Sequence, residues 1–486
     1  MSPPLRSYLL FLLVSLCLLV AALQFSMVAV ALPAIMADLE APLRWAGWTV
    51  TIYTLAQAVS MPVVGRLSDE LGRRTVFVGG LTLFALASLA CALSPNVYFL
   101  ILARALQGVA AGSLLPSAYG VIGDSFAQRR AQMVGLLSSI MPLGSVIGPT
   151  AGGFIVEELG WRWTYAMNTP TGALVVALLL LMPKGQARQG SRLDVLGAAL
   201  LSVAIASLIY ALTELSRRSP PPSPPLVAAG LLAAALAGAL FLRHERRTPE
   251  PVLELALARQ REFAFVNGLN LLYGACVFGA FSFIPLYAYE AYGMTSSQSG
   301  LLLIPRAVAS ALTSAVASVL LPRTGYRRPI LAGLLLMALA LAFLWRGVQE
   351  PQLGPLSLGR FPYLALVIAL TGVGFGLSGP AANNAAIELA PQRIAAITGL
   401  RGMFRLVGGA LGAALMVLVA SRAPSVAEGL ELGFGGLALL AAASSLLVLG
   451  VPDRVGVGVR AEAAQAGPLP TLPGSAPSPR QPPPRP

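Results

Sequence analysis

Residue types that do covalent or metal chemistry are scarce in this chain. It holds one histidine, His244, beside Glu245 in a basic loop, so no Ser/His/Asp or Cys/His set can be assembled. The three cysteines, Cys17, Cys91 and Cys276, lie inside apolar runs and read as small hydrophobes. No Gly-x-x-x-x-Gly-Lys-Ser/Thr loop is present to cradle a nucleotide phosphate. An enzyme is thus the least supported class, and neither a cofactor nor a metal is expected. What remains is the chemistry of charge and close approach. Asp69 and Arg73 stand four residues apart, a spacing that pairs them if the turn is helical. A carboxylate at Asp69 can also cap a neighbouring helix N-terminus, and Gly65 and Gly72 permit a tight turn there. Three arginines, Arg104, Arg306 and Arg405, fall inside long apolar stretches, where an unpaired cation costs at least about 2.5–3.5 kcal/mol. Gly144, Gly148 and Gly152 recur every four residues and share one helix face that lets a second backbone approach. Pro149, between them, removes a backbone donor and kinks the helix.

These residues need elements to hold them, and composition says which. Of 486 residues, 56% are hydrophobic and only 11% charged, with a mean hydropathy of +0.76. Soluble domains are about 25% charged, so this is an integral membrane protein. A helix crosses the hydrocarbon in about 20 residues. Fourteen such stretches are readable: 8–36, 45–64, 75–93, 97–121, 134–156, 162–182, 193–213, 225–242, 263–288, 299–321, 328–346, 361–387, 397–420 and 430–450. They lack the ten-residue alternation of a barrel, so the fold class is all-α. The first stretch is too long for a cleaved leader and is expected to be retained. The net charge of +13 sits in ones to threes between apolar runs, without the continuous groove and stacking aromatics that nucleic acid needs. It reads instead as topology. With the N-terminus inside, inner ends and loops, Arg401 among them, hold nineteen Lys/Arg against seven outside. Both termini are therefore expected in the cytoplasm, in a plasma (inner) membrane. Leu321-Pro-Arg323-Thr-Gly325-Tyr-Arg327-Arg328 is a worn copy of the 65–74 segment without its Asp, which marks an internal repeat. The expected organisation is a six-helix bundle over 1–185, linkers and two inserted helices over 186–255, a second six-helix bundle over 256–451, and a disordered Pro-rich tail over 452–486.

The motifs themselves resemble a known family. Gly65-x-Leu-x-Asp69-x-x-Gly72-Arg73-Arg74 looks like the cytoplasmic signature of the major facilitator superfamily. Arg104-Ala-Leu-Gln107-Gly108 is similar to its fourth-helix motif, and Gly144-x-x-x-Gly148-Pro149-x-x-Gly152-Gly153 to its antiporter motif. Trp161-Arg162-Trp163-Thr-Tyr-Ala-Met-Asn168-Thr-Pro170 resembles the sixth-helix opening of the fourteen-helix drug/proton antiporters, and Ala31-Leu32-Pro33 with Trp48 and Tyr53 fits their first two helices. The resemblance implies two pseudo-symmetric six-helix bundles, a conformational switch at Gly65, Asp69, Gly72, Arg73 and Arg74, and a hinge and seal at the antiporter motif. It also implies a place for Arg104 near a proton pathway, protons as coupling ion, and a monomer. Hydrogen bonds to backbone carbonyls are the other reading of Arg104.

One departure stands out. Family members carry an Asp in the first helix shortly before Ala-Leu-Pro, and Gln24 occupies that place here. Gln cannot carry a proton, and no Asp or Glu lies near the middle of any span. The cavity is thus positive or neutral, suited to a neutral, zwitterionic or anionic amphiphile. Arg306 and Arg405 either line it or snorkel and bind carbonyls. Further lining candidates are Gln24, Tyr53, Gln57, Asn267, Asn270, Tyr273, Asn383 and Asn384, and Gly372, Gly374, Gly376 and Gly379 make their helix flexible or closely packed. The expected function is secondary active export of amphipathic small molecules in a lipid bilayer. A lipid exporter with altered proton coupling and a non-transporting membrane sensor are the alternatives.

Overall fold

The computed structural model describes residues 3–126, 133, 137, 140–170, 194–217, 221–248, 260–348, 352–353, 356–357, 359–388, 394–451 and 453. The first half contains α1 (Pro3–Asp38), α2 (Leu43–Leu71), α3 (Arg73–Ala92), α4 (Val97–Ser125), α5 (Ile140–Glu158) and the short α6 (Arg162–Ala166). An inserted hairpin follows, α7 (Val195–Leu215) and α8 (Pro224–Glu245). The second half opens with α9 (Arg261–Gly274), which runs through a π-helical turn, Ala275–Gly279, before α10 (Ile284–Tyr292). It continues with α11 (Ser296–Leu301), α12 (Leu303–Thr324), α13 (Arg327–Trp345), α14 (Arg360–Glu388), α15 (Ile394–Arg422) and α16 (Val426–Ser444). Apart from one two-residue antiparallel pair, Gln352–Leu353 with Leu356–Ser357, the described residues in regular structure are helical.

Eleven helical stretches among the described residues are long and apolar enough to cross a membrane. The helices α2 and α5 account for two further expected spans, and most of the expected 162–182 span lies outside the described residues. Leu232 and Leu439 are each 70% exposed and Val319 78%, an outer surface that suits lipid and not water. Between helices, small residues set the contacts. A Cβ on Gly333 would fall 2.4 Å from the Gly374 carbonyl, one on Gly376 2.5 Å from the Ser310 carbonyl, and one on Gly408 1.8 Å from the Leu271 carbonyl. Gly372, Gly374 and Gly376 of α14 are therefore there for close packing, whereas a Cβ on Gly379 would meet only the Tyr273 hydroxyl, at 4.0 Å.

The halves meet along two seams, α2 against α15 and α5 against α11 and α12. The inserted α7 lies over the first seam and touches both halves. Trp48 Nε1 on α2 donates to Thr213 Oγ1 at 2.7 Å, and Arg422 Nε on α15 donates to the Leu215 carbonyl at 2.7 Å. Ala198, Ile205 and Ile209 fill the space between Leu55, Ala58 and Val59 on α2 and Met403 and Val407 on α15. His244 is not in a loop: it ends α8, half-buried, and its Nε2 meets Asp194 Oδ1 at 2.6 Å while that oxygen also accepts from Gly197 N to cap α7.

The 65–74 segment turns at a single residue. α2 stays helical through Gly65 to Leu71, and Gly72 (φ +89°) alone makes the break, since only glycine takes that backbone without strain. The side chain of Asp69 lies outside the described ones. Arg74 is half-buried in the first turn of α3, and Arg73 Nη1 crosses to the Gly120 carbonyl on α4 at 2.9 Å. The repeat copy turns in the same way at Gly325 (φ +72°). Its missing acid is supplied from the far end of the chain. Asp453 Oδ1 accepts from the Tyr326 and Arg327 amides, both at 2.9 Å, while Arg327 Nε donates to the Val451 carbonyl at 2.7 Å. Disorder from Pro452 onward is thus corrected at Asp453, which caps α13. Asp453→Ala removes a cap of about 0.5–2 kcal/mol. The variant should melt lower in detergent than the parent; an unchanged melting temperature would show that the cap contributes nothing to stability.

Candidate functional site

The first half presents a buried cation without an acid. Asn96 caps α4 by accepting from Phe99 N at 2.9 Å, and two turns later Arg104 lies 1% exposed. Its Nε donates to the Thr49 carbonyl on α2 at 2.8 Å and its Nη1 to Gln107 Oε1 at 2.6 Å. Gln107 Nε2 in turn donates to Ser88 Oγ on α3 at 2.7 Å, and the guanidinium carbon lies 4.0 Å from the centre of the Tyr53 ring. No described carboxylate joins this set, so the carbonyl-and-amide reading of Arg104 describes its geometry. Gln24, fully buried on α1, accepts from Asn168 Nδ2, and its own Nε2 has no partner among the described residues. The first-helix position and the sixth-helix motif, 144 residues apart, form one amide pair.

The glycine motif on α5 works on two faces. Toward α1, a Cβ on Gly144 would fall 2.3 Å from Ala22 Cβ, one on Gly148 2.9 Å from the Leu23 carbonyl, and one on Gly152 2.8 Å from Met27 Cγ. Ser26 Oγ donates to the Gly144 carbonyl at 3.1 Å, closing the pair. Toward the second half, a Cβ on Gly153 would fall 2.5 Å from the Ser296 carbonyl, and one on Gly300 2.2 Å from the Pro149 carbonyl. Glu157 adds an acceptor for Ser297 N at 3.1 Å. The motif therefore binds α5 to its own half and also forms the inter-half seam at the end where α1 finishes.

The second half carries three more embedded cations. Arg401 is 8% exposed, not at a solvated end as the charge count had it. Its Nε donates to Asn270 Oδ1 at 3.0 Å and its Nη1 to Asn383 Oδ1. One turn on, the Arg405 guanidinium lies 5.5 Å from the Phe278 ring centre, and Arg306 lies 4.2 Å from Phe281 and 5.6 Å from Phe375. Tyr273 stacks on Phe375, donates to its carbonyl at 3.2 Å and accepts from Ser378 Oγ at 3.0 Å. Of the other lining candidates, Asn267 bonds back to the Phe263 carbonyl on its own helix, Asn384 is exposed, and Gln57 is half-buried beside Gly112. The signal for Arg401 was present in its four-residue spacing from Arg405, which puts both on one face of α15.

Rings join the two halves. Phe25 on α1 lies 6.0 Å from Tyr53 and 6.1 Å from Phe278, so aromatic contacts run from Arg104 in one half to Arg405 in the other. Two small hollows open beside this row. One is lined by Phe25, Tyr53, Arg104, Phe281 and Ser282, the other by Cys276, Phe281, Arg306 and Thr371.

Residues 14–192 and 266–481 match the profile of the Major Facilitator Superfamily. The chain belongs to that superfamily. The match breaks over 193–265, the stretch that carries α7 and α8. A multidrug transporter protein, MdtP, of Bacillus subtilis (strain 168) is 32% identical over 400 residues, covering 82% of this chain and 72% of that one. The tetracenomycin C resistance and export protein of Streptomyces glaucescens is 32% identical over 413 residues, 84% and 75% of the two chains. The methylenomycin A resistance protein of Streptomyces coelicolor is 30% identical over 441 residues, 89% and 90%. Among solved structures, a bacterial homologue of the lysosomal transporter Spinster superposes with a TM-score of 0.65 at 16% identity, covering 93% of this chain and 98% of that one. A POT-family transporter reaches 0.68 at 14% identity, 90% and 95%. The fold is thus that of a superfamily transporter.

The seam at Gly153 is directly testable. Gly153→Val overpacks it against backbone, at about 1–3 kcal/mol, enough to shift a two-state closure about 5- to 150-fold. A cysteine placed at Ser296 should then label faster with an impermeant maleimide; unchanged labelling would show that the contact does not hold the seam closed.

Proposed function

We propose that this protein is a secondary active exporter of amphipathic small molecules that works by alternating access. The observation that carries the reading is the meeting of two helical bodies over an interior of aromatic rings and guanidiniums, closed at one end by the Gly153–Ser296 and Pro149–Gly300 contacts. Such contacts between backbones can part and re-form as units, since each side is rigid helix. The multidrug and antibiotic-export names of its relatives support an amphipathic substrate. The charge bias supports cytoplasmic termini, and in the same reading the chain is a fourteen-span bundle of two six-helix halves and an inserted hairpin that resides in the plasma (inner) membrane. In this reading the substrate cavity lies along the row from Arg104 through Tyr53, Phe25 and Phe278 to Arg405, and the chain acts as a monomer driven by an ion gradient, with protons as the coupling ion.

A second reading, lipid or glycolipid export with altered coupling, is favoured by one observation. Gln24, buried against Asn168, stands where the resemblance places a proton-carrying acid.

Purified protein in liposomes separates them. Efflux of an amphiphilic dye that accelerates when a pH gradient is imposed supports proton-coupled export, and Gln24→Asp should steepen that dependence by placing a titratable group beside Asn168. Movement of labelled phospholipid without dye movement favours the second reading, and no flux of either overturns both.

A further inference from the structure

Three other buried or half-buried arginines of this protein hold backbone carbonyls or side-chain amides. Arg104 holds the Thr49 carbonyl, Arg73 the Gly120 carbonyl, and Arg401 the amides of Asn270 and Asn383. Arg306 and Arg405 differ. Each guanidinium rests against an aromatic ring, Phe281 and Phe278 respectively. Neither makes a hydrogen bond or ion pair among the described residues, and Arg405 Nε is buried with no acceptor. A ring face stabilises the cation but accepts none of the five N–H donors each guanidinium carries.

Several features bring the two together. Phe278 and Phe281, the rings under the two guanidiniums, are three residues apart on one helical stretch. The backbone of each arginine is clamped by a glycine. The Arg405 carbonyl lies 1.9 Å from where a Gly274 Cβ would be, and the Arg306 carbonyl 2.2 Å from that of Gly372. Tyr273 stacks on Phe375, whose ring centre lies 5.6 Å from the Arg306 guanidinium, and directly precedes Gly274, which packs on the Arg405 backbone. No acid is near the middle of any span to neutralise these charges, and a small, mostly apolar hollow lined by Cys276, Phe281 and Arg306 adjoins one of them. Positive charge with open donors beside apolar space suits one kind of ligand.

We propose that Arg306 and Arg405 form a seat for the single anionic head of an amphiphile, a sulfate, phosphate or carboxylate group, whose apolar tail lies against Phe278 and Phe281. Arg401, already bonded to Asn270 and Asn383, adds charge without ligating. The proposal rests on the exporter reading for its physiological role, though the seat itself stands on geometry.

The test uses the full chain in lipid nanodiscs and liposomes, with decyl sulfate and decyltrimethylammonium as probes of matched tail and permanent, opposite charge. Decyl sulfate should raise the melting temperature and decyltrimethylammonium should not. Arg306→Gln and Arg405→Gln should each weaken decyl sulfate binding by about 30-fold or more, while the ligand-free melting temperature stays level or rises, because a charge without acceptors has been removed. Arg405→Lys, which keeps the charge, should retain part of the affinity and serves if a Gln variant fails to fold. Nanodiscs doped with phosphatidic acid tell the source apart: stabilisation by that lipid that Arg405→Gln abolishes marks a membrane lipid as a ligand of the seat, and stabilisation by decyl sulfate alone marks a free amphiphile. Equal stabilisation by the cation, or undiminished anion affinity in both Gln variants, overturns the seat. If decyl sulfate binds in an arginine-dependent way but no probe crosses the bilayer, the seat survives and the exporter reading fails. Flux without charge preference does the reverse.

Discussion

In lipid no hydrophobic force draws one apolar helix to another, because the tails around it are as oily as leucine. What holds this bundle is backbone approach at small residues, and the contacts in question are at the positions where function would need movement. Gly408 and Gly274 bring α15 onto α9. Gly144, Gly148 and Gly152 bring α5 onto α1, and Gly153 and Gly300 bring it onto the other half. A contact of that kind has little side-chain entropy to lose and no wet surface to desolvate, so it can open and close as a unit. The same helix that is fixed to its own half by one glycine face closes the seam with the other.

The second demand of the hydrocarbon is that every charge find something to hold. Arg104 meets it with a carbonyl, an amide and a ring, and Arg401 with two asparagine oxygens. Both are neutral solutions that keep the positive field intact, where a carboxylate would have cancelled it. Gln24 and Asn168 repeat the pattern with no charge at all. The interior that results is polar and aromatic, with no described carboxylate paired to its buried guanidiniums, which sets this chain apart from the acid-bearing pattern it otherwise resembles.

The inserted hairpin adds a third element to a two-body design. Because α7 bonds to α2 through Thr213 and to α15 through the Leu215 carbonyl, relative movement of the halves must shear at least one of those contacts. The tail does similar work at the other end of the chain, where Asp453 caps α13 in the repeat that lost its own acid.

Hydropathy and span length are local quantities, so the membrane class, the helices and the places of Arg104, Arg306 and Arg405 were all readable from residues within a turn or two of one another. The pairing of Gln107 with Arg104 was within reach because the two stand three residues apart on one helix face. Other features were not legible, for a physical reason: the partners are distant in the chain. Asp453 meets Arg327 across 126 residues, Asn168 meets Gln24 across 144, and Asn270 meets Arg401 across 131. A count of charges along the chain therefore placed Arg401 at a wet helix end and Asp453 in a loose tail. Sequence alone decided that this chain lives in lipid as helices; only the packed bundle decided which of its buried cations are satisfied and which still have hydrogen-bond donors to offer.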